Sequence, residues 1–258
     1  MGASGTIGTA IHWEGEAGEP ILLVAGPPTS ARLFRGVQAR LSPRRTGAIE
    51  LVAGPAVTRV EELVDRLAAA CMAHGAEVLV AHGLAVPLAL HLPRAAVARV
   101  VLSNGPVDAL HPVLRGLAAL PPALWTRLLL RPGLSGRWLA SSAALRRAVV
   151  NPYVMGRDTV DALLEALVDD PIHRANTAVW ITQVARLLPP SAARTEGLDA
   201  VWGDRDPLHP VARIEALFQR QAGHRLVHIP GGRWLHAEER PWALADAIGD
   251  LLDPQTTT

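Results

Sequence analysis

The stretch Glu77–Pro93, "EVLVAHGLAVPLALHLP", decides the fold. A short apolar run ends at Gly83, and apolar residues at helical spacing follow it. Small or apolar residues flank the glycine on both sides, and His82 is the one polar side chain in the turn. The pattern predicts a buried strand that passes through a sharp turn directly into a helix.

Similar apolar runs recur along the chain, and each ends in Gly, Pro or a short polar residue. They lie at Pro20 to Gly26, Ala48 to Gly54, Arg99 to Pro106, Leu198 to Asp204 and Arg225 to Gly231. Segments of helical period separate most of them, such as Arg59 to His74 and Val211 to Gln221. This alternation predicts an α/β fold with a mostly parallel sheet and helices on both faces.

The alternation breaks between about Val107 and Gly197, where helical patterns are cut by Pro and Gly and no convincing strand occurs. We interpret residues 107–197 as a helical cap inserted into a core formed by residues 1–106 and 198–258. Three of the seven tryptophans, Trp125, Trp138 and Trp180, fall in this cap. Core packing is the default role for each, but cap tryptophans could also line an apolar pocket for a bulky ligand.

Composition excludes several classes of function. The 258 residues are 49% apolar with a net charge of +1, so no basic surface for nucleic acid is expected. All 25 basic residues are arginine, as in GC-rich bacterial genomes, which rules out a catalytic lysine. No signal segment and no membrane-spanning stretch is predicted, so the expected location is the cytoplasm. The sequence shows no metal-ligand or dinucleotide motif, and we expect no metal and no cofactor.

Four motifs in order resemble the α/β-hydrolase superfamily, from His12 to Leu252. The glycine turn is similar to the nucleophile elbow, usually G-x-S-x-G. "PILLVAGPP" matches the strand before the oxyanion loop, "VWGDRDPLHP" is similar to the acid-bearing loop, and "IPGGRWLHAEERPWALADAIGDLL" resembles the terminal segment that normally carries the catalytic histidine. The resemblance implies an α/β-hydrolase fold with a helical cap.

The catalytic residues of that family do not carry over. Gly83 stands where the family has its serine, and Arg233 stands where it has the histidine. An arginine cannot act as a general base near neutral pH. Pro27 occupies the oxyanion donor position and has no backbone N–H, so Leu84 would supply the remaining amide. Asp206 remains in the place of the acid, and we predict a degenerate member of the superfamily.

The vestigial triad positions are therefore Gly83, Asp206 and Arg233, with no assigned catalytic residue. Because triad partners lie side by side, we expect Arg233 and Asp206 close together, either as a structural ion pair or with the guanidinium offered to a ligand carboxylate. His236 is a candidate substitute base at the pocket mouth, although its counterparts usually only pack. The expected ligand-binding residues are Pro27, His82, Gly83, Leu84, Arg233, Trp234, His236 and Trp180.

Three functions compete. The first is a non-hydrolytic enzyme, an isomerase, epimerase or cyclase, that acts by substrate-assisted proton transfer on a bulky apolar or peptidic intermediate of bacterial specialised metabolism. The peptidyl aspartate epimerase of the bottromycin pathway is a precedent with this fold. The second is a non-catalytic ligand-binding or sequestering protein, and the third is a hydrolase with rewired residues such as Asp206 or His236. The expected partner is a small molecule or modified peptide, with a homodimer as an option.

Overall fold

A seven-stranded sheet with helices packed on it forms the centre of the molecule. The structure is a computed structural model, and it describes residues 9–131, 134, 148–151, 157–189, 194, 196–220 and 223–253. The strands are β1 (Ala10–Glu14), β2 (Ala17–Ala25), β3 (Arg44–Glu50), β4 (Val78–His82), β5 (Arg99–Ser103), β6 (Leu198–Gly203) and β7 (Leu226–Ile229). Their order is β1-β3-β2-β4-β5-β6-β7.

All strand pairs are parallel except β1 with β3, which confirms the predicted mostly parallel sheet. Strands β4 and β6 are buried along their whole length, as expected for strands covered by helices on both faces. The register aligns Ala25 with His82 and His82 with Ser103. The residues that follow β2, β4 and β5 therefore meet at one edge of the sheet, where open parallel sheets bind their ligands.

The helices of the core are α1 (Arg35–Leu41), α2 (Glu61–Ala73) and α3 (Ala85–Leu90). Between β5 and β6 the described residues form α4 (Pro112–Ala118), a turn Pro122–Leu124 that continues as a π-helix Trp125–Leu129, α5 (Arg157–Val168), α6 (Pro171–Gln183) and a 3₁₀ turn Val184–Leu187. The chain ends with α7 (Val211–Phe218), α8 (His236–Glu239) and α9 (Pro241–Leu252). A further 3₁₀ turn, Ala31–Phe34, precedes α1.

The described residues between β5 and β6 contain no strand, and the division into core and cap remains a prediction. Trp138 lies outside the described residues. Cys71 is buried in α2, as its helical spacing predicts, and burial raises the pKa of its thiol to about 12. None of the helices described here has the length and apolar character needed to span a bilayer.

Two details differ from the sequence prediction. The run predicted as a strand over Ala48 to Gly54 is a strand only to Glu50, and β3 begins earlier, at Arg44. Strand β1 was not predicted: it lies at the sheet edge, and its residues alternate between exposed and half-buried. An edge strand with one partner has no need of the continuous apolar run that marks a central strand.

Candidate functional site

The turn after β4 is tightly packed on both sides. β4 ends at His82, Gly83 has a φ of +62°, and α3 begins at Ala85. A Cβ placed on Gly26 would lie 2.4 Å from the Ala85 nitrogen, and one on Gly105 would lie 2.3 Å from the Gly83 oxygen. The left-handed φ and these close approaches explain why glycine occupies all three positions. The sharp turn predicted at Gly83 is confirmed.

The indole of Trp234 lies directly above this apex. A Cβ on Gly83 would lie 3.2 Å from Trp234 Nε1 and 3.6 Å from its Cζ2. Trp234 is buried, and its Nε1–H has no hydrogen-bond partner among the described residues. A side chain at the apex would therefore make a tight contact with the indole edge.

A hydrogen-bonded chain of three side chains lies beside the apex. His236 Nδ1 is 2.9 Å from the Arg233 carbonyl oxygen, and Ser103 Oγ is 3.2 Å from His236 Nε2. Ser103 Oγ is also 3.0 Å from His82 Nδ1. Burial lowers the pKa of His236 to about 4 and that of His82 well below its ordinary value, so both rings are neutral near pH 7.

The Arg233 carbonyl fixes the protons along this chain. A carbonyl only accepts, so His236 Nδ1 carries the hydrogen and its Nε2 accepts the Ser103 hydroxyl proton. Ser103 then accepts from His82 Nδ1–H. His82 Nε2 is left as a lone pair, buried and without a partner in the described part of the chain.

Asp206 is a buried carboxylate that accepts three hydrogen bonds. Its Oδ2 accepts from Asn104 Nδ2 at 2.7 Å and from His209 Nδ1 at 3.0 Å, and its Oδ1 accepts from the Leu208 amide at 2.8 Å. Burial alone would raise the pKa of Asp206, but the hydrogen bonds from His209, Asn104 and Leu208 together hold it below its ordinary value. Asp206 is therefore an ionised carboxylate that only accepts.

His209 is a residue of this site that the sequence analysis missed. It lies three residues after Asp206 in "DPLHP", and that spacing beside the acid position was the available signal. Its side chain is 3% exposed, and its Nε2 has no partner among the described residues. The centroids of the His209 and Trp234 rings are 6.3 Å apart. A buried polar atom without a partner costs about 1–3 kcal/mol. His82 and His209, which each carry such a nitrogen, both pack against the ring of Trp234, which carries a third.

The predicted contact between Arg233 and Asp206 is not formed. Arg233 Nη1 donates instead to the Val149 carbonyl at 2.9 Å. The carboxylate of Asp206 instead accepts from His209 and the Leu208 amide of its own loop and from Asn104. Of the two alternatives for His236, the structure agrees with packing and not with a place at a pocket mouth, because that ring is fully buried and both of its nitrogens are hydrogen-bonded.

The other predicted residues lie around the turn. The Leu84 carbonyl accepts from Trp180 Nε1 at 3.1 Å, which places α6 against the start of α3. Pro27 follows Gly26, whose amide donates to the His82 carbonyl at 3.0 Å. His82 also packs its ring parallel to that of Trp234, with 6.3 Å between centroids. In the described residues, no group of three His, Cys, Asp or Glu side chains is arranged to hold a metal.

Solved structures similar to this one cover nearly the whole chain. An esterase from Thermogutta terrifontis, with malate bound, is 20% identical with a TM-score of 0.71, covering 96% of this chain and 94% of its own. An α/β-hydrolase-fold protein from Burkholderia ambifaria is 25% identical with a TM-score of 0.72, covering 94% and 93%. The Cif epoxide hydrolase from Acinetobacter nosocomialis is 14% identical with a TM-score of 0.71, covering 95% and 86%.

No protein-family model matches the chain, and no curated protein matches it either. The structural matches and the sheet order agree, and the chain has the α/β-hydrolase fold. A shared fold does not fix a shared reaction, so the chemistry has to be argued from the side chains of the site.

Proposed function

We propose that this protein binds a carbonyl compound with a bulky apolar or peptidic body and rearranges it by proton transfer, as an isomerase, epimerase or cyclase of a bacterial biosynthetic pathway. In this proposal the protein does not hydrolyse its ligand and forms no covalent intermediate with it. The observation that carries the proposal is Gly83 at the elbow apex with the Trp234 indole 3.2 Å from the position of a Cβ.

Covalent hydrolysis in this fold needs an attacking oxygen at the apex and a base beside it. Gly83 offers no side-chain atom, and the guanidinium of Arg233 is directed to the Val149 carbonyl. Loss of one triad member alone reduces the rate by several orders of magnitude. These two positions therefore support a degenerate member of the superfamily.

Binding of a bulky ligand is supported by the apolar and aromatic groups around the turn. Trp180 and Trp234 are both buried against it, and Trp125 is buried in the π-helix. The sites of small-molecule ligands are mostly apolar with a few well-placed polar groups. The unpartnered nitrogens of His82, His209 and Trp234 supply such groups.

Two assays test the proposal. We expect no turnover of p-nitrophenyl butyrate and no mass increase after incubation with a fluorophosphonate. In deuterated buffer we expect faster exchange of the α-protons of 2-tetralone, a bulky ketone, than in buffer alone. A phosphonyl or acyl adduct on the protein, or absence of any acceleration of exchange, overturns the proposal.

A non-catalytic binding protein is the second candidate. The buried, unpartnered nitrogens favour it, because a bound ligand could form hydrogen bonds with them whether or not it reacts. A rise in melting temperature with 2-naphthol, combined with no exchange of 2-tetralone, supports this candidate and contradicts the first.

A further inference from the structure

We propose that His209, oriented by Asp206, is the base that removes the proton, and that the Trp234 Nε1–H binds the carbonyl oxygen of the substrate. The substrate class that follows is a ketone or related carbonyl compound with an acidic C–H next to the carbonyl. This inference rests on the proposed function and assigns its catalytic residues.

The tautomer of His209 follows from its hydrogen-bond partner. Asp206 Oδ2, 3.0 Å from His209 Nδ1, belongs to an ionised carboxylate and can only accept. In the neutral tautomer the hydrogen is therefore on Nδ1, and Nε2 has a lone pair. A carboxylate that holds a histidine in this tautomer also stabilises the imidazolium that forms when Nε2 takes a proton.

Trp234 supplies the complementary group. Its indole Nε1–H can only donate, and it is buried and unpartnered among the residues described. The ring centroids of Trp234 and His209 are 6.3 Å apart. The lone pair of His209 Nε2 and the N–H donor of Trp234 therefore belong to neighbouring rings. A base and an oxygen-binding donor are the two elements that enolisation of a carbonyl compound requires.

The step balances without a further reactant. His209 Nε2 takes the proton of the C–H bond, the electron pair of that bond forms a C=C bond, and the carbonyl π electrons move to the oxygen. Trp234 Nε1–H donates to that oxygen, and Asp206 faces the imidazolium. Return of the proton from Nε2 to the same carbon, or to the γ-carbon of an unsaturated substrate, restores the neutral base.

His82 does not act as a second acid. Its Nδ1–H is donated to Ser103, and its Nε2 has only a lone pair. Inversion at carbon needs a proton delivered to the opposite face, whereas a proton shift along one face needs a single base. The geometry therefore favours isomerisation by a proton shift over epimerisation.

The first test follows α-proton exchange of 2-tetralone in deuterated buffer. We expect His209→Gln to lower the rate about 100-fold or more, as for loss of a general base. His91→Gln is the matched control, because His91 follows α3 and its Nδ1 bonds the Pro87 carbonyl of that helix, and we expect its rate to equal that of the wild type. Exchange at the wild-type rate in His209→Gln overturns the assignment and leaves the proposed function standing. No exchange in the wild type overturns both.

The second test needs no variant and no turnover. ¹⁵N NMR of the histidine side chains of the wild type should show His209 as the Nδ1–H tautomer, and the Nε2–H tautomer would contradict the assignment. The third uses 2-naphthol, which resembles the enol of 2-tetralone, against naphthalene. Trp234→Phe should weaken 2-naphthol binding and leave naphthalene binding unchanged, and equal loss of both would overturn the role of the indole N–H.

Discussion

At the scale of single residues, the backbone conformation of Gly83 and the position of the Trp234 indole depend on each other. Glycine is tolerant of a φ of +62°, and its lack of a side chain leaves room for the indole. Gly75, after α2, has a φ of +60° but nothing within 4 Å of a Cβ. The two glycines therefore share one backbone conformation and differ in their surroundings.

We predict that Gly83→Ala destabilises the protein more than Gly75→Ala. The left-handed φ alone costs about 1–3 kcal/mol at either position. At Gly83 the indole must also shift, which adds about 1–3 kcal/mol. Urea unfolding of both variants measures the difference, and equal losses would show that Trp234 does not constrain the apex.

The sequence predicts some of these residues better than others. The turn at Gly83 follows from a local pattern, since a strand, a glycine and a helix are adjacent in the chain. The pairing of Asp206 with His209 instead of Arg233 depends on which donors the folded loops bring to one carboxylate. The position of the Trp234 indole above Gly83 joins residues 151 positions apart, and no spacing rule encodes it.

At the scale of elements, α6 connects the region between β5 and β6 to the sheet edge. Asn176 Nδ2 donates to the Val52 and Pro55 carbonyls at 3.0 and 3.1 Å, and its Oδ1 accepts from the Val57 amide at 2.9 Å. Trp180, one turn later on the same face, donates to the Leu84 carbonyl. Both loops that α6 contacts follow strands of the sheet.

Asn176→Ala should therefore destabilise the protein by at least about 2 kcal/mol, because each buried group left unpaired costs about 1–3 kcal/mol. Thr182→Val is the control, since within the described residues Thr182 Oγ1 bonds only the Ala178 and Val179 carbonyls of its own helix, and its loss should cost less than about 1.5 kcal/mol. Hydrogen exchange should show faster exchange in α6 and in residues 52–57 for Asn176→Ala alone. Unchanged protection there would contradict the anchoring role.

The sequence predicts most helices and strands, but it fails where the burial pattern does not distinguish a strand from a turn or a loop. Central strands β4, β5 and β6 are continuous apolar runs and were predicted within a few residues. The apolar residues after Glu50 are also buried, but as turns, so burial there does not indicate a strand. Edge strand β1 has too little buried surface to be distinguished from a loop by its pattern.

At the scale of the whole molecule, buried titratable groups oppose one another in their effect on stability. The folded state lowers the pKa of His236 from 6.5 to about 4 by burial. Between these values the unfolded chain binds a proton that the folded state does not, so stability falls as the pH drops through this range. His82 acts in the same direction.

We predict a loss of stability on acidification from pH 6.5 to pH 4, with His236 alone contributing up to about 3 kcal/mol. Burial holds both rings neutral in the folded state, so the loss should accompany protonation in the unfolded state. Urea unfolding at a series of pH values measures it. In the Glu50→Gln variant, which lacks the opposing effect of the buried Glu50 carboxyl, a free energy of unfolding that rises on acidification over this range would contradict the neutral, buried rings.

Glu50 acts in the opposite direction. It is buried at the end of β3, where its Oε2 accepts from the Ala31 amide at 3.1 Å, and burial raises its pKa from 4.5 to about 7. Between these values the folded state holds a proton that the unfolded chain has lost. Stability is therefore greater below pH 4.5 and falls as the pH rises through 7. In the wild type, this contribution of Glu50 to the pH dependence of stability therefore partly cancels the contribution of the histidines.

The variant Glu50→Gln should separate the contribution of Glu50 to stability from that of the buried histidines. Glutamine keeps an acceptor for the Ala31 amide and cannot ionise, so the variant should match the wild type near pH 4.5 and exceed its stability at pH 8 by up to about 3 kcal/mol. Its stability should also rise more steeply with pH than that of the wild type, because only the histidine term remains. Glu19→Gln, on an exposed part of β2, should show no such gain. If Glu50→Gln were less stable than the wild type at pH 8, Glu50 would have to be an ionised, stabilising partner of Arg32, and the burial argument would fail.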